Sequence, residues 1–519
     1  MKAETEGRLR TMKKPQKQRR SNMRLLVAAT AILVCAILIS IAIRNSPEPK
    51  AESNVSMWLT SPDPANRLTE QAPIHWSNDN AKGSTVNSNV LTVEVKPDIR
   101  YQTMEGFGAA VSGSSAYLMN HGMSPDQRDQ LLNDLFTASG IQLSYIRHTI
   151  GASDYSVDEQ GQPSSYTYDD VASGKDYDLN RFSIAKDQDV TDVLKQIVRR
   201  NSGLRIMGTP WTAPPWMKYG EQTYNGWYLD YNDPRVYSAY ADYFVRYIQA
   251  YANEGIPIQA ISIQNEPEFT TSNYPSMSMG AAEQANFIKQ YLGPALSRNQ
   301  LSTQIIAFDH NWDTGSDYAR TVLGDEQARS YTHGTAFHCY KGEPTAMTDV
   351  HNAFPNKAVY MTECSGGQWS PDFGDNLSWD MSKLIIGAPR NWSQNVLFWN
   401  VALDPSGGPT NGGCTNCRGV VTIDPLSGAV TKNVEYYAIG HASKFVRPGA
   451  VRIDSTHYSG SIETVAYRNP DGTLVLIAAN TGADERTFKV RQGSKVFTCK
   501  LPAKSAATFQ WNSSASFKK

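Results

Sequence analysis

Eight short runs of apolar and β-branched residues recur between residues 104 and 400, separated by longer stretches with helical periodicity. Alternation of this kind is typical of βα units arranged around a parallel sheet. Because eight such units close into a barrel, the pattern predicts an α/β fold with a (β/α)8 TIM barrel over residues 104–439. The predicted strands are Met104–Val111, Gln142–Thr149, Arg205–Thr209, Gln259–Gln264, Gln304–Asp309, Gly334–Tyr340, Ala358–Glu363 and Asn395–Asn400.

The pattern changes in the last part of the chain, where short alternating strands follow one another across tight turns. This is typical of an antiparallel sheet. Residues 55–103 contain the same alternation and are expected to join residues 440–512 in a discontinuous antiparallel β-sandwich side domain, with a tail at 513–519. The predicted strands include Val55–Thr60, Val90–Val95, Glu463–Arg468, Leu474–Asn480, Thr487–Val490 and Ala507–Trp511.

The segment 25–43 is apolar, uncharged and 19 residues long, close to the length that a helix needs to cross a bilayer. Residues 1–24 are basic, so the positive-inside rule predicts a cytoplasmic leader, a transmembrane or signal-anchor helix at 25–43 and an extracytoplasmic body. Residues 44–54 are polar and are interpreted as a linker. The alternative is a secreted protein with a cleaved signal peptide, since Ser40 and Ala42 form a small-x-small site.

The charge is distributed unevenly along the chain. Residues 1–44 hold ten of the 49 Lys and Arg residues but only two of the 50 Asp and Glu residues. The body that follows is therefore acidic, and it has no electrostatic reason to bind nucleic acid.

Two predicted barrel strands end in glutamate. Glu266 follows an apolar strand in Ile261-Ser-Ile-Gln-Asn-Glu-Pro, and Glu363 ends Val359-Tyr-Met-Thr-Glu before a Gly-rich loop. In this fold the reacting groups lie at the C-terminal strand ends, so both carboxylates are expected at the barrel mouth. Cleavage of a glycosidic bond needs one carboxyl that donates a proton and one that attacks the anomeric carbon. The alternative is that each glutamate merely pairs with an arginine at the barrel rim.

The chain has six cysteines, of which Cys35 lies in the predicted membrane segment. Cys414 and Cys417 form a CxxC, which is either a local disulfide or half of a zinc site. Outside the cytoplasm a disulfide is favoured, and no second CxxC or His pair completes a metal site. Neither a metal nor a cofactor is therefore predicted.

Several motifs together resemble family 30 glycoside hydrolases, which include glucosylceramidases and β-1,6-glucanases. They occur in the family's order over about residues 55–512: Gly106-Phe-Gly-Ala, Thr209-Pro-Trp-Thr-Ala-Pro-Pro-Trp, Asn265-Glu-Pro, Thr362-Glu-Cys and Trp399-Asn-Val-Ala-Leu-Asp-Pro-Ser-Gly-Gly-Pro. The resemblance implies a barrel with a side β domain and a retaining reaction. It implies that Glu266 is the acid/base, Glu363 the nucleophile and Asn265 the partner of the sugar 2-hydroxyl.

The resemblance implies six further substrate-binding residues: Arg147, Asp154, Trp211, His338, Tyr340 and Trp399. The arginine is expected to keep the nucleophile ionised, and the histidine and tyrosine to place a donor beside it. The aspartate and the two tryptophans are expected to bind the hydroxyls and one face of the sugar. One departure is that Ser112-Gly113 stands where the family usually has Thr-Asp. The loop around Cys414 is expected to line the leaving-group side of the mouth.

The predicted function is a retaining β-glycoside hydrolase of the β-glucosidase or glucosylceramidase type, acting on a carbohydrate or glycolipid outside the cell membrane. The alternative among enzymes is an endo-β-1,6-glucanase or a related polysaccharide hydrolase, and the loops at the mouth decide between them. A more distant alternative is a surface carbohydrate-binding protein without turnover, which the presence of both glutamates argues against.

Overall fold

The computed structural model describes residues 54–78 and 90–512. The predicted leader 1–24, transmembrane helix 25–43 and tail 513–519 lie outside these residues, as does all but the last residue of the predicted linker. Within the described ranges, no helix combines the length and the apolar character needed to cross a membrane.

Eight parallel strands form a closed barrel and follow one another around it in sequence order. The (β/α)8 barrel predicted from the sequence is confirmed. The fourth strand is shorter than expected, because the chain turns before Glu266. The eight strands are Gly106–Val111, Tyr145–Thr149, Arg205–Thr209, Ala260–Ser262, Gln304–Asn311, Thr332–His338, Ala358–Glu363 and Ser393–Phe398.

Several of the helices between the strands begin at residues whose side chains satisfy free N–H groups. Ser124 caps Pro125–Phe136 with a capping box, and Asp233 caps Pro234–Asn253 by accepting from the backbone N–H of Arg235 at 3.1 Å. Both helices start with proline, whose missing N–H costs nothing at that position. The α-helices are Gly113–His121, Pro125–Phe136, Gln188–Arg200, Pro234–Asn253, Ala281–Phe287, Gly293–Arg298, Trp312–Gly324, Glu326–Tyr331, Thr345–Ala353, Phe373–Trp379, Gly387–Arg390 and Val434–Ser443; π-helical turns span Ile288–Leu292 and Asp380–Ile385, and 3-10 turns Ala185–Asp187 and Pro215–Met217.

Ten strands from both ends of the described chain form a second sheet. The 13-residue strand Leu91–Thr103 pairs near its start with Arg486–Gln492 and further along with Val451–Ser455, so it joins two halves of this sheet. Side chains from both halves, such as Phe488 and Phe509, share one hydrophobic core. The ten strands are Ser56–Thr60, Thr69–Glu70, Ser77–Asn78, Leu91–Thr103, Val451–Ser455, Ile462–Arg468, Thr473–Asn480, Arg486–Gln492, Lys495–Leu501 and Ser505–Asn512; two small sheets pair Gly366–Gly367 with Cys417–Arg418, and Val421–Ile423 with Ala402–Leu403 and Val430–Lys432.

One layer of apolar side chains, drawn from the second to the eighth barrel strands, forms a buried cluster of its own: Tyr145, Met207, Ala260, Ile306, Ala336, Ala358, Tyr360 and Leu397. Since side chains alternate along a strand, the residue two places further on points in the same direction. On five strands that next residue is polar and buried: Arg147, Thr209, Ser262, His338 and Thr362. The sequence therefore sets a polar layer above an apolar one, facing the C-terminal mouth of the barrel.

Candidate active site

Asp309 lies at the centre of the polar layer. At this point of the fifth strand, Phe308 and Asp309 both have left-handed backbone, with φ of 71° and 75°, and the pairing with the sixth strand shifts register. This bulge turns the carboxylate toward the barrel axis. Its oxygens accept hydrogen bonds from Ser262 and Thr362 at 2.6 Å, Arg147 at 2.9 Å, His338 at 3.0 Å and Thr209 at 3.3 Å. Burial raises the pKa of Asp309, but the two cationic neighbours outweigh burial and hold it well below its usual range.

Arg147 connects this aspartate with the two glutamate-bearing strands. Its side chain is fully buried, and Nη1 donates to Oε2 of Glu363 at 2.5 Å, while Nη2 donates to Oδ1 of Asn265 at 2.7 Å. Burial lowers the pKa of Arg147, but Asp309 and Glu363 raise it above its usual value. A guanidinium that stays charged and presents a rigid fork fixes the carboxylate it holds.

Glu363 ends the seventh strand and is only 6% exposed. Arg147 holds its Oε2, and the Tyr340 hydroxyl donates to Oε1 at 2.9 Å. Donors on both oxygens fix the orientation of the carboxyl group. The arrangement therefore holds Glu363 in one position at the bottom of the mouth.

Glu266 follows the fourth strand in a turn and has left-handed backbone, with φ of 44°. This conformation is unfavourable for a residue with a Cβ. Its N–H donates to the carbonyl of Asp309 at 3.0 Å, and its carbonyl accepts from the N–H of Phe269 at 2.8 Å. These bonds hold the turn, and the side chain accepts a hydrogen bond from Nδ1 of His338 through Oε1 at 3.1 Å.

His338 lies between the carboxylates of Glu266 and Asp309, with Nε2 bonded to the latter at 3.0 Å. Burial lowers the pKa of His338, but the surrounding carboxylates, Glu363 first, raise it to about 9. The ring is therefore an imidazolium at neutral pH. Burial raises the pKa of Glu266, yet the hydrogen bond and charge of His338 outweigh burial and lower it.

One oxygen of Glu266, one of Glu363 and one nitrogen of His338 lie within 4.8 Å of one another. By position these three groups could hold a metal ion, but an imidazolium with donors on both nitrogens offers no lone pair. This oxygen–oxygen distance is compatible with carboxyl groups roughly 5–5.5 Å apart, as in retaining glycosidases, and is shorter than the roughly 6.5–9.5 Å that admits a water between them. The geometry thus favours direct attack by a carboxylate.

Asn265 is oriented by the arginine below it. A guanidinium only donates, so the amide oxygen must face Arg147, as it does at 2.7 Å. The amide nitrogen then points away from the arginine and remains available to donate to a ligand. The backbone is held by a bond from the Asn265 N–H to the carbonyl of Pro210 at 2.8 Å.

A cavity of about 310 Å³ lies above the carboxylates and is called here the catalytic pocket. Trp211 and Trp399 stack in it, with ring centroids 5.0 Å apart. Asp154 also lines it, and its Oδ1 is buried without a hydrogen-bond partner among the described residues. The structure brings all nine predicted site residues together: Asp154, Trp211, Asn265, Glu266, Tyr340, Glu363 and Trp399 line the pocket, and Arg147 and His338 contact the two glutamates.

Cys414 and Cys417 form a disulfide in the loop after the eighth strand. The Tyr155 hydroxyl donates to the carbonyl of Cys414 at 2.6 Å, and the N–H of Asn411 donates to the carbonyl of Asp154 at 2.7 Å. The loop therefore packs against Asp154, on the side where the sugar contacts are expected. The expectation that it lines the leaving-group side stays a prediction; these bonds tie one part of the loop to the loop after the second strand.

Two features of the site were not predicted from the sequence: Asp309 and a second disulfide, between Cys339 and Cys364. Asp309 ends a predicted strand as the two glutamates do, so the same signal was present. The two cysteines each follow a site residue, His338 and Glu363, which are paired across adjacent strands. Strand adjacency was needed to see that the cysteines meet. Three aromatic residues of the pocket were also missed: Tyr155, Tyr274 and Trp369.

Ser112-Gly113, which stands where the family usually has Thr-Asp, has a structural role at the ends of two barrel strands. Ser112 caps the helix Gly113–His121 by accepting from the N–H of Ser115, and its hydroxyl donates to Oδ1 of Asn400 at 2.5 Å. The serine thus links the end of the first strand to the end of the eighth. Gly113 packs against the backbone of Ser156.

A closed (β/α)8 barrel with two close carboxylates at its C-terminal mouth, one fixed by an arginine and one beside an imidazolium, defines a retaining glycoside hydrolase. Residues 104–446 match the model of the glycosyl hydrolase family 30 TIM-barrel domain, and residues 449–509 match that of the family's beta sandwich domain. The chain belongs to glycosyl hydrolase family 30.

Its relatives include endo-1,6-beta-D-glucanases and glucosylceramidases. An endo-1,6-beta-D-glucanase of Aspergillus fumigatus is 35% identical over 92% of this chain and 99% of its own length. The solved structure of an endo-beta1,6-glucanase is 33% identical with a TM-score of 0.78, covering 88% of this chain and 100% of that one. The lysosomal acid glucosylceramidase of Mus musculus is 27% identical over 81% of this chain and 83% of its own length.

Proposed function

We propose that this glycoside hydrolase cuts β-1,6-linked glucan within the chain, with Glu363 as nucleophile and Glu266 as acid/base. The observation that carries the mechanism is the pair of carboxyls at the end of the seventh strand and in the turn after the fourth, with one oxygen of each within 4.8 Å of the other. The observation that favours the substrate is the 35% identity over 92% of the chain to an endo-1,6-beta-D-glucanase.

In the first step, an oxygen of Glu363 forms a bond to the anomeric carbon while the bond from that carbon to the leaving oxygen breaks. Glu266 gives its proton to the leaving oxygen. In the second step, water attacks the anomeric carbon, the bond to Glu363 breaks, and Glu266 takes a proton from the water. Arg147 and Tyr340 hold Glu363 in place through both steps.

The remaining site residues bind the sugar that is transferred. The amide nitrogen of Asn265 donates to the 2-hydroxyl, where the hydrogen bond strengthens in the transition state. Trp211 and Trp399 offer stacked aromatic faces to the ring. Asp154 has a buried oxygen without a partner among the described residues, and a sugar hydroxyl satisfies it.

A substrate panel tests the proposal. Purified protein is offered β-1,6-glucan, β-1,3-glucan, an aryl β-glucoside and glucosylceramide, with Glu363→Gln as the inactive control. The proposal predicts the highest kcat/KM on β-1,6-glucan, with oligosaccharides among the first products. Higher kcat/KM on glucosylceramide assigns the second candidate function, which the likeness to the mouse glucosylceramidase favours. A folded protein that is inactive on all four contradicts both.

We also propose that residues 25–43 anchor the enzyme outside the cell membrane, with the basic residues 1–24 in the cytoplasm. The apolar, uncharged segment supports this, and two disulfides in the body fit an oxidising compartment. The full chain should sediment with membranes and keep its leader. An N-terminal sequence that begins near residue 43 shows cleavage and secretion instead.

A further inference from the structure

A second cavity, of about 440 Å³, adjoins the catalytic pocket and is larger than its neighbour of about 310 Å³. We call it the side groove; Tyr340, Trp369, Asn376, Trp379 and Asp380 are among its lining residues. The two cavities have only Tyr340 and Trp369 in common. A saccharide that extends out of the catalytic pocket past these two residues therefore enters the side groove, whose lining does not include Asp154.

Two tryptophans line the side groove. Trp369 is 55% exposed and Trp379 is 42% exposed. Most tryptophans of folded proteins bury far more of the ring, and exposed aromatic faces close to a catalytic pocket mark a binding surface. An aromatic face matches the C–H face of a pyranose ring.

Asp380 supplies the polar partner of this surface. The residue is only 5% exposed, yet its Oδ2 has no hydrogen-bond partner within the described part of the chain. Burial raises the pKa of Asp380, and Glu435 raises it further, against a smaller opposing effect of Arg418. In either protonation state the carboxyl can form a hydrogen bond with a hydroxyl group. A hydroxyl-bearing ligand satisfies it, whereas a hydrocarbon chain does not.

The side groove is built on a fixed frame. Gly366–Gly367 pairs with Cys417–Arg418, and a Cβ on Gly367 would lie 1.9 Å from the ring of Trp369. Glycine therefore lets this ring lie directly on the backbone. The side chain of Asn376 donates to the carbonyl of Ser370 at 2.5 Å, which ties the helix Phe373–Trp379 to the same loop. A binding surface held in this way loses little freedom when a ligand binds.

We propose that the side groove binds the glucosyl units on the leaving-group side of the bond that is cut, through Trp369, Trp379 and Asp380. This rests on the proposed function, and it names the site that recognises the glucan chain beyond the catalytic pocket. A saccharide is favoured over a ceramide because the buried, unpaired carboxyl of Asp380 requires a hydroxyl partner.

An acceptor that replaces water in the second step of the reaction must bind in the same groove. The rate of that step with an acceptor therefore measures binding to the side groove. A 2-deoxy-2-fluoro-β-glucoside with an activated leaving group traps the glucosyl-enzyme on Glu363. A disaccharide acceptor then attacks: its hydroxyl oxygen bonds to the anomeric carbon, the bond to Glu363 breaks, and Glu266 takes the proton. The rate of reactivation with gentiobiose, the β-1,6-linked disaccharide of glucose, is measured against the rate with water alone.

In the wild type, the rate of reactivation should rise with the concentration of gentiobiose and reach a plateau. Trp379→Ala and Asp380→Asn should each lower the ratio of acceptor-dependent to water-dependent rate by roughly tenfold, since each removes one direct contact. Tyr231→Ala is the matched control, because it removes a ring that is 63% exposed and lines neither cavity. Reactivation by water in each variant reports an intact catalytic pocket.

The outcomes separate the two proposals. If the fluoro-glucoside leaves no covalent adduct, the proposed function is wrong and the subsite is withdrawn with it. If the adduct forms but gentiobiose gives no acceleration, or the ratio is equal in Trp379→Ala, Asp380→Asn and the control, only the side groove proposal is overturned. Faster reactivation by an aliphatic alcohol than by gentiobiose, unaffected by Asp380→Asn, assigns the groove to a lipid-like leaving group and also overturns it.

Discussion

Loss of the charge of Asp309 is predicted to destabilise the fold strongly. Its fully buried carboxylate forms ion pairs with Arg147 at 2.9 Å and with the protonated His338 at 3.0 Å. Asp309→Asn keeps the size of the side chain but removes the charge. Two buried cations then lose an anion, and the new amide N–H₂ faces groups that also donate.

The expected magnitude follows from the burial of the pair. Removing one partner of a buried ion pair costs about 3–5 kcal/mol, because the remaining charge stays desolvated and unpaired. The depressed pKa of Asp309 means that its stabilisation is present above the unfolded-state pKa of about 3.9 and is lost as pH falls through the folded-state pKa. Urea unfolding at pH 5 therefore measures the full stabilisation by the charge of Asp309. Asp309→Asn should lower the free energy of unfolding by about 3–5 kcal/mol.

Asp187→Asn is the matched control. Asp187 is 1% exposed and accepts from three tyrosine hydroxyls, with no cation in contact among the described residues. Burial raises its pKa to about 6, against the opposing tyrosine bonds, so the carboxyl is already neutral at pH 5. Its replacement should cost only about 0.5–1.5 kcal/mol. If both variants lose the same free energy, the ion-pair reasoning is refuted.

Three predictions concern the catalytic groups. Glu363→Gly should lose nearly all turnover, and azide should restore cleavage of an activated aryl β-glucoside with an α-glucosyl azide as product; a β-azide contradicts its role. Glu266→Ala should slow glycosides with poor leaving groups by about 10²–10⁴ yet largely spare glycosylation from a dinitrophenyl glycoside, and equal loss on both kinds counts against it. His338→Gln should move the basic limb of the pH profile of kcat/KM to higher pH, because the imidazolium of His338 holds the pKa of Glu266 low. A basic limb that moves to lower pH or stays in place refutes the assignment of Glu266 as the acid whose pKa His338 lowers.

The barrel was predictable because each strand is marked by a local apolar run between amphipathic stretches, and the two glutamates were visible because they follow such runs. The direction of the Asp309 side chain could not be predicted in the same way. Its inward direction depends on the bulge at Phe308, where two successive residues take positive φ, and alternation along a regular strand does not describe that. The position of Glu266 likewise depends on a turn that starts after Ser262.

The environment of the side groove could not be predicted for a different reason. Trp379 and Asp380 lie at the end of one helix and the start of a π-helical turn, so the sequence shows only a helical stretch. They line the side groove together with Trp369, whose loop is held by the pairing of Gly366–Gly367 with Cys417–Arg418. Contacts between loops from different βα units carry no signal in the local pattern.

The stereochemistry of the first product tests the central claim most directly. One oxygen of Glu266 lies within 4.8 Å of one oxygen of Glu363, which favours a retaining reaction in which the anomeric carbon is inverted twice. Proton NMR of a β-glucan digest, recorded before mutarotation, should show the β-anomer as the first reducing end, with the α-anomer appearing only later. An initial α-anomer signal contradicts the covalent intermediate on Glu363.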